Sequence, residues 1–145
     1  MSPIKRLKPV QRVSESREQH AARELGISQR KARDQQARLD ELRRYHQEYL
    51  ERFRQASRAG MASSHLLEYR AFLGNLEKAI EAQEKIVSAG SQECVSRKAT
   101  WQQKHMRTKV LGKVMDRFET ASKTAEQARD QKESDDRNQR GGDGG

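Results

Sequence analysis

Apolar runs are scarce in this 145-residue sequence, and none approaches the length of a membrane span, so no transmembrane helix is expected. The basic start, Met1 to Val13, has no apolar region after it, which argues against a cleavable signal peptide. A single cysteine, Cys94, excludes an intramolecular disulfide framework and any Cys-rich metal site. It fits a reducing compartment and reads as a small buried hydrophobe. Two prolines and nine glycines, four of the glycines within the last five residues, leave few punctuation points for a turn-rich domain. Only 32% of residues are hydrophobic, too few for a compact core but enough for a two-helix seam, which needs about two positions in seven.

Catalytic signatures are missing too. There is no phosphate-cradling glycine loop and no nucleophile elbow. The four histidines, His20, His46, His65 and His105, are far apart in sequence. A fold-back of the chain can bring His20 near His105, yet two imidazoles without a third ligand make a poor metal site. The expectation is a non-enzymatic protein with no catalytic residue, metal or cofactor.

What is abundant is Ala, Leu, Glu, Gln, Lys and Arg, the mixture of long solvated helices. In the second half a 3-4 spacing runs Leu66, Tyr69, Leu73, Leu76, Ile80, Gln83, Val87, Gly90, Cys94, Arg97, Trp101, Lys104, Thr108, Leu111, Met115, Phe118, Ser122, Ala125. Twelve of these 18 positions are apolar, an enrichment that marks one helix face as a seam. A weaker register in the first half reads Ala21, Leu25, Ser28, Ala32, Gln35, Leu39, Leu42, His46, Tyr49, Phe53, Ala56. Small and polar residues at Ser28 and Ala32 predict a thin, loosely held seam there.

Between the registers lies Ser57-Arg58-Ala59-Gly60-Met61-Ala62-Ser63-Ser64. Gly60 can take the left-handed conformation that ends a helix, and Ser63 or Ser64 can cap the next one. A short link between long helices makes them antiparallel neighbours. The expected fold is therefore all-α, two long helices forming an antiparallel coiled-coil hairpin over residues 1–130. Its parts are a helix at about 10–57, a turn at about 58–63 and a helix at about 64–130. Pro3 and Pro9 argue against a stable helix interior before residue 10, although Pro9 suits a first turn. Residues 131–145, polar and ending in Gly-Gly-Asp-Gly-Gly, read as a disordered tail.

A turn centred near residues 60–61 sets residues whose numbers add to about 121 side by side. Tyr49 then faces Phe72, Tyr45 faces Leu76, and Leu42 faces Ala79. Leu42, Tyr49 and Leu76 fall on the seam, whereas Tyr45, Phe72 and Ala79 do not. Two readings follow: an exposed aromatic patch for a partner, or flanking rings that cover the seam.

Charge is the other asymmetry. The formal net charge is +9, and no acid occurs between Glu93 and Asp116, where Arg97, Lys98, Lys104, Arg107, Lys109 and Lys113 stand. The same pairing sets this stretch beside Lys8, Arg12, Arg17 and Arg23, which makes a basic end. It is either a solvated face or a dock for an acidic or anionic surface. Trp101 interrupts it at a seam register and is expected to pack inward rather than stack on a base. A basic coiled coil that binds nucleic acid is the alternative, but base-reading modules and interleaved exposed aromatics are absent, so no nucleic acid is expected.

Several blocks together resemble the flagellar export protein FliJ family. They are Leu42-x-x-Tyr45-x-x-x-Tyr49, the turn Gly60-Met61-Ala62-Ser63, and Tyr69-x-x-Phe72-x-x-x-Leu76-Glu77-Lys78-Ala79-Ile80-Glu81. Trp101 followed by Lys104, Asp116-Arg117, and the tail Asp130-Gln131-Lys132 with Asp135-Asp136 also fit. The off-seam matches carry the weight, because coiled coils share heptads regardless of kinship.

The resemblance implies a two-helix coiled coil similar in shape to a rotary ATP synthase stalk. It implies binding to the export ATPase, FliI, with promotion of its ring, and to the cytoplasmic domain of the export gate, FlhA. A role in recycling export-substrate chaperones is also implied. On this basis the gate-binding residues are Leu42, Tyr45, Tyr49, Phe72, Leu76 and Ala79, whereas Arg38 and Gln83 stand at polar positions of the family pattern and depart from it. The ATPase-facing basic end comprises Arg12, Arg17, Arg97, Lys98, Lys104 and Arg107. The implied location is the cytoplasm, at the inner-membrane face of the flagellar base, with the membrane reached only through partners. The equivalent stalk of a virulence-type secretion system is a further alternative.

Overall fold

The computed structural model describes residues 2–142 and consists of two helices, α1 (Pro3–Arg58) and α2 (Ser63–Gly142). They pack against each other as an all-α helical hairpin. The link between them is a Schellman ending of α1. Gly60 sits at φ 78°, its N–H donates to the Ser57 carbonyl, and the Met61 N–H reaches back to the Ala56 carbonyl at 3.2 Å. Only glycine takes this conformation without strain, which is why the helix ends here.

α2 then begins without a serine cap. The Leu66 N–H donates to the Ala62 carbonyl at 3.2 Å, and Ser63 is already the first helical residue. Ser63 and Ser64 are therefore not the caps the sequence suggests. The Schellman turn leaves only Met61 and Ala62 outside the helices on the α2 side, so the cap position falls on Ala62.

At the other end α1 starts earlier than residue 10. Ser2 caps it, its Oγ accepting from the Lys5 N–H at 3.4 Å, and Pro3 occupies the first helical position. Pro9 lies inside the helix. Its missing N–H leaves the Lys5 carbonyl free, but Lys5 is exposed, so water can take that bond. The 3-4 seam also continues backward from Ala21 through Glu18, Ser14, Gln11 and Leu7 to Ile4, all buried or half-buried. That signal outweighs the prolines.

The helix pair divides into two compact units. One, Ala21–Trp101, contains the turn. Its buried apolar residues are Ala21, Leu39, Leu42, Ala56 and Leu73, a seam only one side chain deep. Ser28 is 4% exposed and its Oγ donates to the Leu25 carbonyl at 2.8 Å, so the seam closes tightly around it rather than loosening. A small side chain with its own hydrogen bond lets the facing helix approach. Cys94 is free and half-buried, not fully buried.

The other unit is Met1–His20 with Gln102–Gly145. Its buried contact is polar: Ser14 Oγ and Thr108 Oγ1 are 2.8 Å apart. The Thr108 hydroxyl proton goes to the Lys104 carbonyl at 3.0 Å, so Ser14 is the donor in the pair. Nearby, His105 contacts Glu18, whereas His20 is exposed. In place of a tail from residue 131, α2 continues to Gly142. Residues 119–141 are all exposed and carry Lys123–Glu119 and Arg137–Glu133 pairs at i, i+4 spacing. The rest of the expected tail, residues 143–145, lies outside the described residues.

Among the described residues no helix is long and apolar enough to cross a membrane, and no group of three or more His, Cys, Asp or Glu could hold a metal ion.

Candidate partner-docking site

The interface of a two-helix seam has two flanks. Around Tyr49 in the Ala21–Trp101 unit they are chemically different. On one flank stand ion pairs: Arg43–Glu84 at 3.5 Å and His46–Glu77 at 3.3 Å. The other flank is aromatic. Tyr49 and Phe72 meet with ring centroids 4.5 Å apart and planes at 53°, and Tyr45 lies 6.5 Å from Tyr49. The Arg52 guanidinium sits 5.0 Å over the Tyr49 ring, where its charge meets the negative ring face. Phe53 and Tyr69 form a further ring contact at 6.4 Å.

Three of the six residues that the resemblance marks for the gate, Tyr45, Tyr49 and Phe72, meet in these ring contacts, and Leu42, Leu76 and Ala79 stand farther along the same two helices. Leu42 is buried, and Tyr49 and Leu76 are half-buried. Tyr45 is 46% exposed and Phe72 42% exposed, and Ala79 is exposed as well. Phe72 therefore combines the two alternatives, covering Tyr49 with one face and presenting the rest to solvent. Of the two polar positions, Gln83 donates from Nε2 to the Gln35 carbonyl at 3.0 Å. Arg38 pairs with Glu41 at 3.4 Å.

Tyr45 and Phe72 stay open for a geometric reason. They occupy positions beside the seam, one residue removed from the 3-4 register, and a second helix covers only the seam itself. A large aromatic left there exposes apolar surface in an otherwise charged environment.

The six basic residues assigned to the terminal end fall in different places. Arg97 and Lys98 belong to the Ala21–Trp101 unit, where Arg97 approaches Glu24 at 4.0 Å and Lys98 is exposed. Trp101 is half-buried at its seam register. In the other unit Arg17, Lys104 and Arg107 line one groove together with Pro9, Val10, Val13 and Ser14. Arg12 is exposed but does not line it. The groove thus joins three cations to an apolar floor in which Val10 and Val13 are 43% and 49% exposed. Spacing alone marks the cations. The valines escape a search for seam positions because they lie beside the register, as Phe72 does.

Comparison with known proteins points the same way. The family model described as "Flagellar FliJ protein" matches residues 3–142. The chain is similar to the Flagellar FliJ protein of Escherichia coli strain K12, 29% identical over 128 residues, covering 88% of this chain and 87% of the relative. It is similar to the Salmonella typhi protein of the same name, 29% identical over 134 residues, covering 92% of this chain and 91% of the relative. No solved structure matches the chain.

Proposed function

The chain belongs to the flagellar FliJ protein family, as a component of flagellar protein export, and from that premise we propose that it works as a stalk and adaptor without catalytic activity. It promotes assembly of the export ATPase (FliI) ring and links that ring to the cytoplasmic domain of the export gate (FlhA). Recycling of export-substrate chaperones is a further part of this reading. It acts in the cytoplasm at the inner-membrane face of the flagellar base, reaching the membrane through its partners.

The observation that carries the reading is the aromatic flank. Tyr45 and Phe72 are large, rigid and nearly half exposed, while Leu42 and Tyr49 behind them are anchored in the seam. Preformed aromatic anchors of this kind hold most of the energy of a protein interface. The gate domain docks there, on Leu42, Tyr45, Tyr49, Phe72, Leu76 and Ala79. The ATPase docks on the basic groove of Arg17, Lys104 and Arg107, with Arg12, Arg97 and Lys98 contributing charge outside it. Apolar valines between cations suit an acidic protein surface better than nucleic acid, which favours aromatic stacking platforms.

Two binding measurements test this. The purified export ATPase should be retained by the wild-type chain and lost on Arg17→Glu with Lys104→Glu. The gate cytoplasmic domain should bind wild type and fail with Phe72→Ala. Retention of both partners by these variants would remove both docking assignments.

A further inference from the structure

Helix periodicity continues the aromatic flank beyond its last assigned residue. Phe72, Ala79 and Ile86 are spaced by seven along α2, so they share one side of it. On α1 the facing side runs Tyr45, Arg38, Lys31 at the same spacing. All six belong to the Ala21–Trp101 unit. Following the strip past Ala79 leads to Ile86 and to Ile27, which are 45% and 52% exposed.

The two isoleucines line the same shallow cleft, about 770 Å³, together with Arg30, Lys31 and Arg38. Isoleucine is a mediocre helix former, and at a half-exposed helix position it realises only part of its burial energy. Nor can the seam beneath absorb it. That layer is polar: Gln83 is bonded to the Gln35 carbonyl, and the Gln35 side chain fills the space beside Gly90. The cleft is too open to enclose a small molecule, whereas a protein surface can cover it.

Charge defines what such a surface must carry. Asp34 is the one acid of the lining, against Arg30, Lys31 and Arg38. Lys31 pairs with Glu93 at 3.8 Å and Arg38 with Glu41 at 3.4 Å, but all four side chains are at least 41% exposed. Pairs so wet are weakly held and exchange readily for an incoming carboxylate. Arg30 forms no ion pair among the described residues.

We propose that the docking flank extends through Arg38 to the Ile27–Ile86 cleft, which receives an apolar side chain borne on an acidic segment of the gate's cytoplasmic domain. The inference rests on the gate-docking reading of Tyr45, Phe72 and Ala79. It adds a second anchor point, two heptads along the flank from Phe72, to the first. One rigid partner surface then spans both, which fixes the orientation of the docked domain as well as its affinity.

Titration calorimetry of the full chain with the purified gate cytoplasmic domain tests it, using Ile27→Ser with Ile86→Ser, Arg30→Glu, and Phe72→Ala. The double isoleucine variant should bind ~10-fold more weakly. Arg30→Glu should bind ~3- to 10-fold more weakly at low salt, with the difference shrinking as salt rises. The thermal midpoint of Arg30→Glu should stay near wild type, and that of the double isoleucine variant, whose side chains are about half covered, should fall modestly while the chain stays folded at the assay temperature. Wild-type affinity in both cleft variants, with binding lost in Phe72→Ala, would overturn the extension alone. Wild-type affinity in Phe72→Ala would overturn the underlying patch reading and the extension with it.

Discussion

Phe72 and its chain neighbour Leu73 offer a controlled comparison, since one sits beside the seam and the other in it. Phe72 is 42% exposed, so somewhat over half of its surface is covered, and the Tyr49 ring lies against it at 4.5 Å between centroids. Fully burying a phenylalanine stabilises by about 1.5–3 kcal/mol, and scaling by the covered share leaves about 1–2 kcal/mol. The ring pair adds ~0.5–1.5 kcal/mol. Alanine returns about 0.5 kcal/mol through its better helix propensity. Phe72→Ala should therefore cost roughly 1–3 kcal/mol, about 2 kcal/mol at mid-range, and leave no cavity. Leu73 is 7% exposed, and Leu73→Ala should cost about 3 kcal/mol through lost transfer energy and the gap it opens in the seam. Urea unfolding followed by far-ultraviolet circular dichroism gives both values, and gate binding is measured on the same samples. The expected result is a crossed pattern. Phe72→Ala loses binding with a modest loss of stability, and Leu73→Ala keeps binding at temperatures where it remains folded. Equal destabilisation by the two substitutions would show that Phe72 is core, and the argument from exposure would fail.

Gly26 and Gly74 lie within helices, and a Cβ added at either would meet nothing within 4 Å, so Gly26→Ala and Gly74→Ala should each stabilise by ~0.5–1 kcal/mol in urea unfolding. Gly60→Ala should do the opposite, by roughly 1–2 kcal/mol, because φ 78° is strained for a residue with a Cβ. Gln35 Oε1 is buried without a hydrogen-bond partner, so Gln35→Leu should raise stability by about 1 kcal/mol, again read from the urea midpoint. Deleting residues 121–142 should lower total helical ellipticity but leave the thermal midpoint near wild type, since the side chains described there are exposed.

Much of the hairpin is legible in the sequence. The left-handed Gly60, the antiparallel pairing and the juxtaposition of Tyr49 with Phe72 follow from two 3-4 registers and one short link. Boundaries are harder to read. Pro3 and Pro9 suggest helix breaking, yet the Ser2 cap and the seam residues Ile4 and Leu7 carry α1 back to Pro3. From residue 131 composition points to a disordered tail, whereas α2 stays helical to Gly142 with i, i+4 ion pairs on its surface. Ser28 reads as a weak point because serine is polar. In the folded chain it satisfies its own hydroxyl on Leu25 and lets the helices close.

Sequence by itself determined the number of helices, their direction and the heptad positions from Ala21 to Ala56 and from Leu66 to Ala125, because apolar periodicity reports angle around a helix axis. It could not report depth. Whether a residue beside the seam is covered depends on how near the second helix comes and on which side chains project from it. Only the tertiary structure decided that Phe72 covers Tyr49 yet stays open, that the Tyr49 ring takes both Phe72 and the Arg52 guanidinium, and that Gln35 packs against Gly90 beneath Ile27 and Ile86. Those outcomes depend on contacts between residues dozens of positions apart, and one-dimensional periodicity carries no measure of their separation.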